Sequence, residues 1–319
     1  MFTSLLAIWQ QLPEATRERI SSGLRHTGVP YCASYLAKYK EVHDSTNFCG
    51  NLPSIKEEYE KSTGQRRASL ANQFDKVVDS LVMKNGVKKT TYSMRQLGIL
   101  AALVEEERFS CHKEPVTVLD IPSSTGIASL DFYDLLVKFY KVRAYVLGDL
   151  YFAVLYDRER ECIFDEEGNL LQVKLRNGFF SLYRPHSLGD RYNIWAGCLL
   201  IPLGVASSYL RRKYPYRPEN DYQAIALLHP DVEKRLGDGS LSVRRMDVFK
   251  VIENKFDIII SFNLLQRNYF PVERIQRGIE NLKNALNEDG LLIMGNTESY
   301  SVSRKVGGEL VVVKREGEF

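Results

Sequence analysis

The 319-residue sequence has few cysteines and no C-x-x-C pair. The five cysteines, Cys32, Cys49, Cys111, Cys162 and Cys198, are odd in number and scattered along the chain. This distribution argues against a disulfide framework and against a cysteine-based metal site, and it fits a reducing compartment. The N-terminus also lacks the basic region that opens a signal peptide, so we expect a cytoplasmic protein without a bound metal.

The sequence also lacks an excess of charge of either sign. It carries 43 basic and 40 acidic residues, a net charge of +3, so the overall charge requires neither nucleic acid nor an anionic membrane as a partner, and we expect no nucleic-acid partner. Long apolar runs are absent too. The longest uncharged run, Tyr192–Leu210, contains Pro202 and is no longer than the ~20 apolar residues of a spanning helix. We therefore expect a buried pair of helices and no stable membrane insertion. A lipid- or substrate-facing surface is the alternative.

Glycine is scarce where a dinucleotide-binding loop would need it. An apolar run from Val116 ends at Asp120, a turn follows through Pro122 to Gly126, and helix-compatible sequence continues from Ile127. This order predicts the strand, loop and helix that open a Rossmann-like unit. Because the turn has one glycine and Pro122 has no N–H to donate, NAD and FAD are disfavoured. S-adenosylmethionine (SAM) has no phosphate and needs fewer glycines, whereas a structural turn without a ligand is the alternative.

The pattern downstream continues as the rest of one parallel sheet. A second strand ends near Asp149, whose carboxylate suits the two ribose hydroxyls of a nucleoside, with a helix N-cap as the alternative. Buried-strand composition over Phe256–Phe262 predicts a central strand. The remaining predicted elements are strands at Val142–Leu147, Leu241–Val248, Leu291–Met294 and Glu309–Lys314, and a helix at Pro271–Leu286.

Two regions flank or interrupt this pattern. Residues 1–102 are predicted to form a helical N-terminal domain, which includes an amphipathic helix over Ser69–Met83. Residues 103–319 are predicted to form the Rossmann-like domain, with an insertion at about 151–239. Within the insertion we expect a β-hairpin over Glu161–Leu175 and a short helix over Asp221–Leu228. The predicted fold class is α/β, with a Rossmann-like sheet, a helical N-terminal domain and an inserted subdomain.

Several short motifs, taken in order, resemble those of class I SAM-dependent methyltransferases. More closely, the set is similar to the CheR-type chemotaxis receptor methyltransferases, which methylate glutamate side chains. The matching segments are Thr91–Arg95, Ser123–Gly126, Phe256-Asp257 with Asn263, Tyr269-Phe270 and Gly295–Glu298. The sequence departs from that family at Ile127 and Ala128, where acidic residues are common, and at Phe262, where the family carries arginine.

The resemblance implies a SAM-dependent O-methyltransferase acting on a protein carboxylate. A carboxylate is ionised at neutral pH, so it needs positioning and no general base. Arg95 would orient the acceptor through its guanidinium fork, and Tyr269 would donate a hydrogen bond to it. The residues expected to bind the cofactor are Thr91, Arg95, Asp120, Ser123, Ser124, Thr125, Gly126, Asp149, Asp247, Val248, Asn263 and Leu264. A small or lipidic methyl acceptor, or a module that binds SAM or a partner without turnover, are the alternatives.

Overall fold

The computed structural model describes residues 45–83, 89, 93, 115–175, 178–182, 206–267, 269–296 and 299–317. Two predicted site residues, Thr91 and Arg95, lie outside the described residues, as do the helices predicted before residue 45. Most of the uncharged run, up to residue 205, also lies outside them.

The chain is organised around a seven-stranded sheet with the order β12-β11-β10-β9-β1-β2-β8. A second, five-stranded antiparallel sheet has the order β6-β5-β4-β3-β7. The strands are β1 (Val116–Asp120), β2 (Val142–Asp149), β3 (Ala153–Asp157), β4 (Cys162–Phe164), β5 (Leu170–Leu175), β6 (Gly178–Ser181), β7 (Gln223–Ala226), β8 (Ser242–Arg245), β9 (Phe256–Phe262), β10 (Leu286–Gly295), β11 (Tyr300–Val306) and β12 (Glu309–Glu316).

The large sheet is doubly wound. Strands β8, β2, β1, β9 and β10 pair in parallel, in the spatial order 3-2-1-4-5 that Rossmann-like sheets share. β11 and β12 close the sheet as an antiparallel hairpin, as expected for the last strand. All seven residues of Phe256–Phe262 are buried, because β9 lies between two strands and is covered on both faces. The predicted Rossmann-like α/β fold with an inserted subdomain is confirmed.

The described α-helices are α1 (Leu52–Lys61), α2 (Gly64–Asp79), α3 (Ile127–Leu136), α4 (residues 206–213), α5 (Pro230–Gly237) and α6 (Val272–Ala285). Three of them, α3, α5 and α6, cover the two faces of the large sheet. The α6 stripe of Ile275, Ile279 and Leu282 packs against one face, and α3 and α5 pack against the other. None of the described helices is long and apolar enough to cross a membrane.

The second sheet lies between β2 and β8 in sequence and is itself covered on both faces. Residues of α1 and α2, such as Leu52 and Phe74, form one core with Ile163 and Ile225 of this sheet. The segment after α4 covers the opposite face. The buried Gln172 side chain, on β5, links the second sheet to the segments that flank α1 and α2. Its amide donates to Ser80 Oγ at 2.7 Å and its carbonyl oxygen accepts the Cys49 N–H at 3.1 Å.

Some predicted elements were wrong or misplaced. The helix predicted over Asp221–Leu228 is the strand β7, because Q-A-I-A alternates with period two and pairs antiparallel with β3, burying Ile225. The strand predicted over Leu241–Val248 is confined to Ser242–Arg245. β11 was not predicted, and the predicted hairpin over Glu161–Leu175 is confirmed as β4 and β5.

Candidate functional site

The candidate site lies at the carboxyl edge of the large sheet. β1, β2, β8, β9 and β10 are parallel, so their carboxyl ends meet at one edge. The strand order reverses between β1 and β9, since β1 has β2 on one side and β9 on the other. Open α/β sheets bind ligands in the crevice at such a switch point.

The loop after β1 is fixed to its surroundings by backbone hydrogen bonds. It begins with a cis Ile121–Pro122 peptide bond. The Ser123 N–H donates to the Gly148 carbonyl at 2.9 Å, at the end of β2. The Thr125 carbonyl accepts the His229 N–H at 2.9 Å, just before α5. The loop is therefore held between the second strand and α5 before any ligand binds.

Gly126 is required by packing. Its φ is +78°, a conformation that residues with a Cβ rarely adopt. A Cβ there would lie 3.0 Å from Val232 Cγ1 and 3.1 Å from Leu147 Cδ1. The glycine thus permits α5 and β2 to close on the loop, a role different from the close approach of a phosphate in a dinucleotide-binding fold.

Three hydroxyl groups in this loop are buried and have no hydrogen-bond partner among the residues that the structure describes. They belong to Ser123, Ser124 and Thr125, which are 3%, 8% and 1% exposed. Ser261, on the neighbouring strand β9, has a fourth such hydroxyl. Leaving a buried hydroxyl unpaired costs about 1–3 kcal/mol, so a cluster of them marks a place where a polar ligand would be stabilised.

Two residues at this edge hold left-handed backbone conformations without being glycine. Ser124 has φ of +55° in the loop after β1, and Asn263 has φ of +60° directly after β9. The Asn263 N–H donates to the Gly295 carbonyl at 2.8 Å, which joins the ends of β9 and β10. Strained backbone of this kind clusters at ligand sites, and here it occurs on the two strands that flank the switch point.

Asp149, the predicted ribose acceptor, is buried and already has three donors. The Lys89 ammonium lies 2.6 Å from Oδ1, and the Tyr151 N–H donates to the same oxygen at 3.1 Å. The Ser124 N–H donates to Oδ2 at 2.8 Å, which ties the carboxylate to the β1 loop. A carboxylate offers about four acceptor positions, so one remains for a ligand unless Lys89 moves away.

Lys89 was not singled out by the sequence, and it is the least expected member of the site. Its side chain is 5% exposed, and its ammonium also donates to the Tyr151 carbonyl. The ring of Phe152 lies 5.8 Å from the same nitrogen. The sequence around it carries no motif that could have predicted this contact, because the partner lies 60 residues further along the chain.

Asp120 ends β1 beside these groups. Burial raises the pKa of its carboxyl to about 7, and the nearby Asp149 adds to the rise. Hydrogen bonds from the side chains of Ser129 and of Tyr145, whose hydroxyl is 3.4 Å away, oppose the rise in pKa. Asp120 therefore holds its proton to higher pH than a free carboxyl does, unlike a carboxylate held charged by a fixed ion pair.

The remaining predicted residues reach the same edge in different environments. Asp247 caps the turn after β8, where its Oδ1 accepts the Phe249 N–H at 3.0 Å. The Met246 N–H donates to the Asp149 carbonyl at 2.8 Å, so the ends of β2 and β8 are adjacent. Val248 is 3% exposed and belongs to the α6-side core, against which Leu264 is partly packed.

Tyr269 lies in the turn between β9 and α6. Its ring centroid is 6.4 Å from that of Phe270, which in turn meets Phe249 at 4.8 Å. Arg274 covers both of these rings, with its guanidinium carbon 4.3 Å from the centroid of Phe249 and 5.1 Å from that of Phe270. These rings form an aromatic cluster, defined as Phe249, Tyr269 and Phe270, beside the ends of β8 and β9.

His229 was likewise not singled out, although it couples α1 and α2 to the loop. Its buried ring stands edge-on to Tyr59 and Phe74 at 5.3 Å each, and burial lowers its pKa to about 4. Asp231 accepts hydrogen bonds from Tyr59 at 2.7 Å and from Arg67 at 2.5 Å.

In the part of the chain that the structure describes, no cluster of three or more His, Cys, Asp or Glu residues could hold a metal ion.

Several solved structures are similar to this chain in fold. One is the N-methyltransferase NodS from Bradyrhizobium japonicum in complex with S-adenosyl-L-homocysteine (SAH), at 11% identity, 63% of this chain, 62% of that chain and a TM-score of 0.28. Another is an O-methyltransferase family protein from Burkholderia thailandensis, at 9% identity, 71% of this chain, 41% of that chain and a TM-score of 0.32. A third is the [4+2]-cyclase SpnF, at 12% identity, 64% of this chain, 46% of that chain and a TM-score of 0.28.

This chain therefore spans less than two thirds of each of these three proteins. Likeness at such identities and TM-scores says nothing about activity, and the three proteins are named for different reactions. No protein-family model and no curated protein matches the chain. The fold stated above rests on the strand order of the chain itself.

Proposed function

We propose that this chain is a SAM-dependent methyltransferase that binds the cofactor at the carboxyl edge of its large sheet. The observation that carries the proposal is the set of buried, unpartnered hydroxyls of Ser123, Ser124 and Thr125 beside the Asp149 carboxylate. A polar ligand without a phosphate suits hydroxyl donors and acceptors in a loop that has one glycine.

The residues present fit such a cofactor, with one exception. In the proposal, Asp149 accepts the ribose hydroxyls, and Asp247 and Val248 border the adenine. Asn263, whose amide can both donate and accept, faces the methionine moiety with the β1 loop hydroxyls. The exception is Lys89, whose ammonium already pairs with the Asp149 carboxylate that would accept the ribose hydroxyls.

When bound, the cofactor supplies a methyl group on a sulfonium, and the chain's own task is to position the acceptor and exclude water. The aromatic cluster of Phe249, Tyr269 and Phe270 lies in the turns that follow β8 and β9, at the same edge of the sheet, and in the proposal Tyr269 presents its ring to a small, partly apolar acceptor. We therefore propose a small or lipidic methyl acceptor. The alternative is a protein glutamate, oriented by Arg95 and Tyr269, and it rests on the CheR-type resemblance alone.

Calorimetric titration of the full chain tests cofactor binding. We expect SAH to bind and NADH to give no heat. Ser123→Ala should weaken SAH binding about fivefold, because one buried hydrogen bond is worth about 1 kcal/mol. The matched control Ser303→Ala removes an equally buried hydroxyl on β11 and should leave the affinity unchanged. No heat from SAH would contradict the proposal.

A labelling experiment separates the acceptor classes. The chain is incubated with methyl-labelled SAM and an extract that has been separated into small molecules and proteins. We expect label in the small-molecule fraction. Label that appears on protein and is released as methanol by base would instead establish a carboxyl ester and restore the glutamate hypothesis.

A further inference from the structure

The surface of α4 and the turn after it combines exposed cations with an exposed aromatic ring. Tyr209 is 61% exposed, and Arg211, Arg212, Lys213 and Arg217 are all exposed. None of these four cations forms an ion pair with a described carboxylate. We call this set, Tyr209 with the four cations, the basic patch.

Helical spacing places the key members of the patch on one face. Ser207 is buried and Leu210 packs against the second sheet, so these positions define the inward side of α4. Tyr209 lies three residues before Arg212 and four before Lys213, which puts the ring between two cations on the outward side. No acidic residue lies within α4.

The patch stands on a rigid support. Tyr216 stacks on Tyr222 with ring centroids 5.0 Å apart and planes at 19°, and it packs directly over Gly168, where a Cβ would lie 2.7 Å from the ring. Arg160 donates to the Pro215 carbonyl at 2.8 Å and to the Tyr222 hydroxyl at 3.2 Å. The backbone that presents the cations is therefore fixed before any partner binds.

We propose that the basic patch docks on an anionic phospholipid surface. Cations that flank an exposed tyrosine match the lipid interface, where basic side chains meet headgroup phosphates and aromatic rings lie at headgroup level. In the sequence, the longest uncharged run of the chain ends at Leu210, directly before Arg211, Arg212 and Lys213.

The charge of the chain as a whole favours lipid over nucleic acid. The net charge is only +3, and Glu219 and Asp221 lie exposed just beyond the patch, so the basic surface is compact. Nucleic-acid binding uses an extended basic surface, whereas a small cluster of cations suffices for an anionic membrane. Docking of this kind is peripheral and needs no helix that crosses the bilayer.

Co-sedimentation of the full chain with vesicles tests the proposal. We expect binding to phosphatidylcholine vesicles that contain about 30% phosphatidylserine and little binding to pure phosphatidylcholine, with loss of binding as salt rises. The triple variant Arg211→Gln, Arg212→Gln, Lys213→Gln should weaken binding about a hundredfold, at roughly fivefold for each cation. Tyr209→Ser should weaken it further.

A matched control removes as many cations from another exposed surface. Lys138→Gln, Lys141→Gln and Arg143→Gln alter the connection from α3 to β2 and should leave vesicle binding unchanged. Failure of the unaltered chain to bind anionic vesicles would overturn the proposal, as would equal loss in both triple variants. Binding to a single-stranded oligonucleotide that the patch variant abolishes, without vesicle binding, would assign the patch to nucleic acid instead.

Discussion

Replacing Lys89 with methionine should strengthen SAH binding, because Lys89 competes with the ligand for Asp149. The ammonium lies 2.6 Å from Oδ1, and the two side chains are 5% and 8% exposed. Two ribose hydroxyls would need two acceptor positions on Asp149, and only one remains while Lys89 is in place. Methionine keeps the length of the side chain and removes its charge, so the pocket keeps its shape.

The size of the expected gain in SAH affinity follows from the strength of the Lys89–Asp149 ion pair. Breaking a buried pair by removing one partner costs about 3–5 kcal/mol, so Lys89→Met should unfold at lower temperature than the unaltered chain. In the variant, the ribose hydroxyls of SAH would donate to the Asp149 oxygen that has lost the Lys89 ammonium. We expect the variant to bind SAH at least tenfold more tightly, a gain of about 1.4 kcal/mol, with the cost of the pair as the upper bound.

Calorimetry and thermal unfolding in the presence of SAH measure both effects. Lys56→Met is the matched control, since Lys56 pairs with Glu233 at 2.7 Å and is also largely buried, but contacts neither Asp149 nor the β1 loop. The control should lose stability without a change in SAH affinity. If Lys89→Met binds SAH no more tightly than the unaltered chain, Lys89 and the ribose do not compete for Asp149.

Three further predictions concern stability. Gly126→Ala should lower the free energy of unfolding by about 1–3 kcal/mol, because its φ is +78° and the new Cβ would meet Val232 at 3.0 Å, whereas Gly237→Ala, with nothing within 4 Å, should change it little in the same denaturant titration. Gln172→Leu should cost about 2–4 kcal/mol, since the Cys49 N–H loses its buried acceptor and Ser80 Oγ loses the amide that donates to it, and a denaturation midpoint within experimental error of the unaltered chain would refute this. The pKa of Asp120 is raised to about 7 by burial, so the native state keeps a proton that the unfolded chain releases above its pKa of about 3.9, and stability falls as pH rises from about 4 to about 7. Asp120→Asn should therefore match the unaltered chain near pH 4 and exceed its stability above pH 7 by at most about 4 kcal/mol, and a difference that does not vary with pH would contradict the assignment.

Local patterns predicted the central sheet well. The run Phe256–Phe262 is apolar throughout because β9 is buried on both faces, so its composition alone marks a central strand. The hairpin of β4 and β5 was signalled by its turn residues, and the α6 stripe by its helical spacing. In each case the signal lies within a few residues of sequence, which makes it accessible without the structure.

Features that depend on distant contacts could not be predicted in this way. β7 resembled a helix in sequence, and its pairing with β3, some 70 residues earlier, decides its conformation. The ion pair between Lys89 and Asp149 likewise joins two segments that are distant in sequence and share no local pattern. The packing of α1 and α2 on the second sheet, where Phe74 and Ile163 share one core, depends on apolar residues that any partner surface could have buried.

A crystal structure of the full chain with SAH would show whether the cofactor site is at the carboxyl edge of the large sheet. We expect the ribose hydroxyls to lie within hydrogen-bond distance of Asp149, with Lys89 withdrawn from it. We also expect the hydroxyls of the loop after β1 to contact the amino-acid end of the ligand. A ligand bound elsewhere, or an intact Lys89–Asp149 pair beside a fully ordered ligand that does not touch Asp149, would contradict the proposed cofactor site.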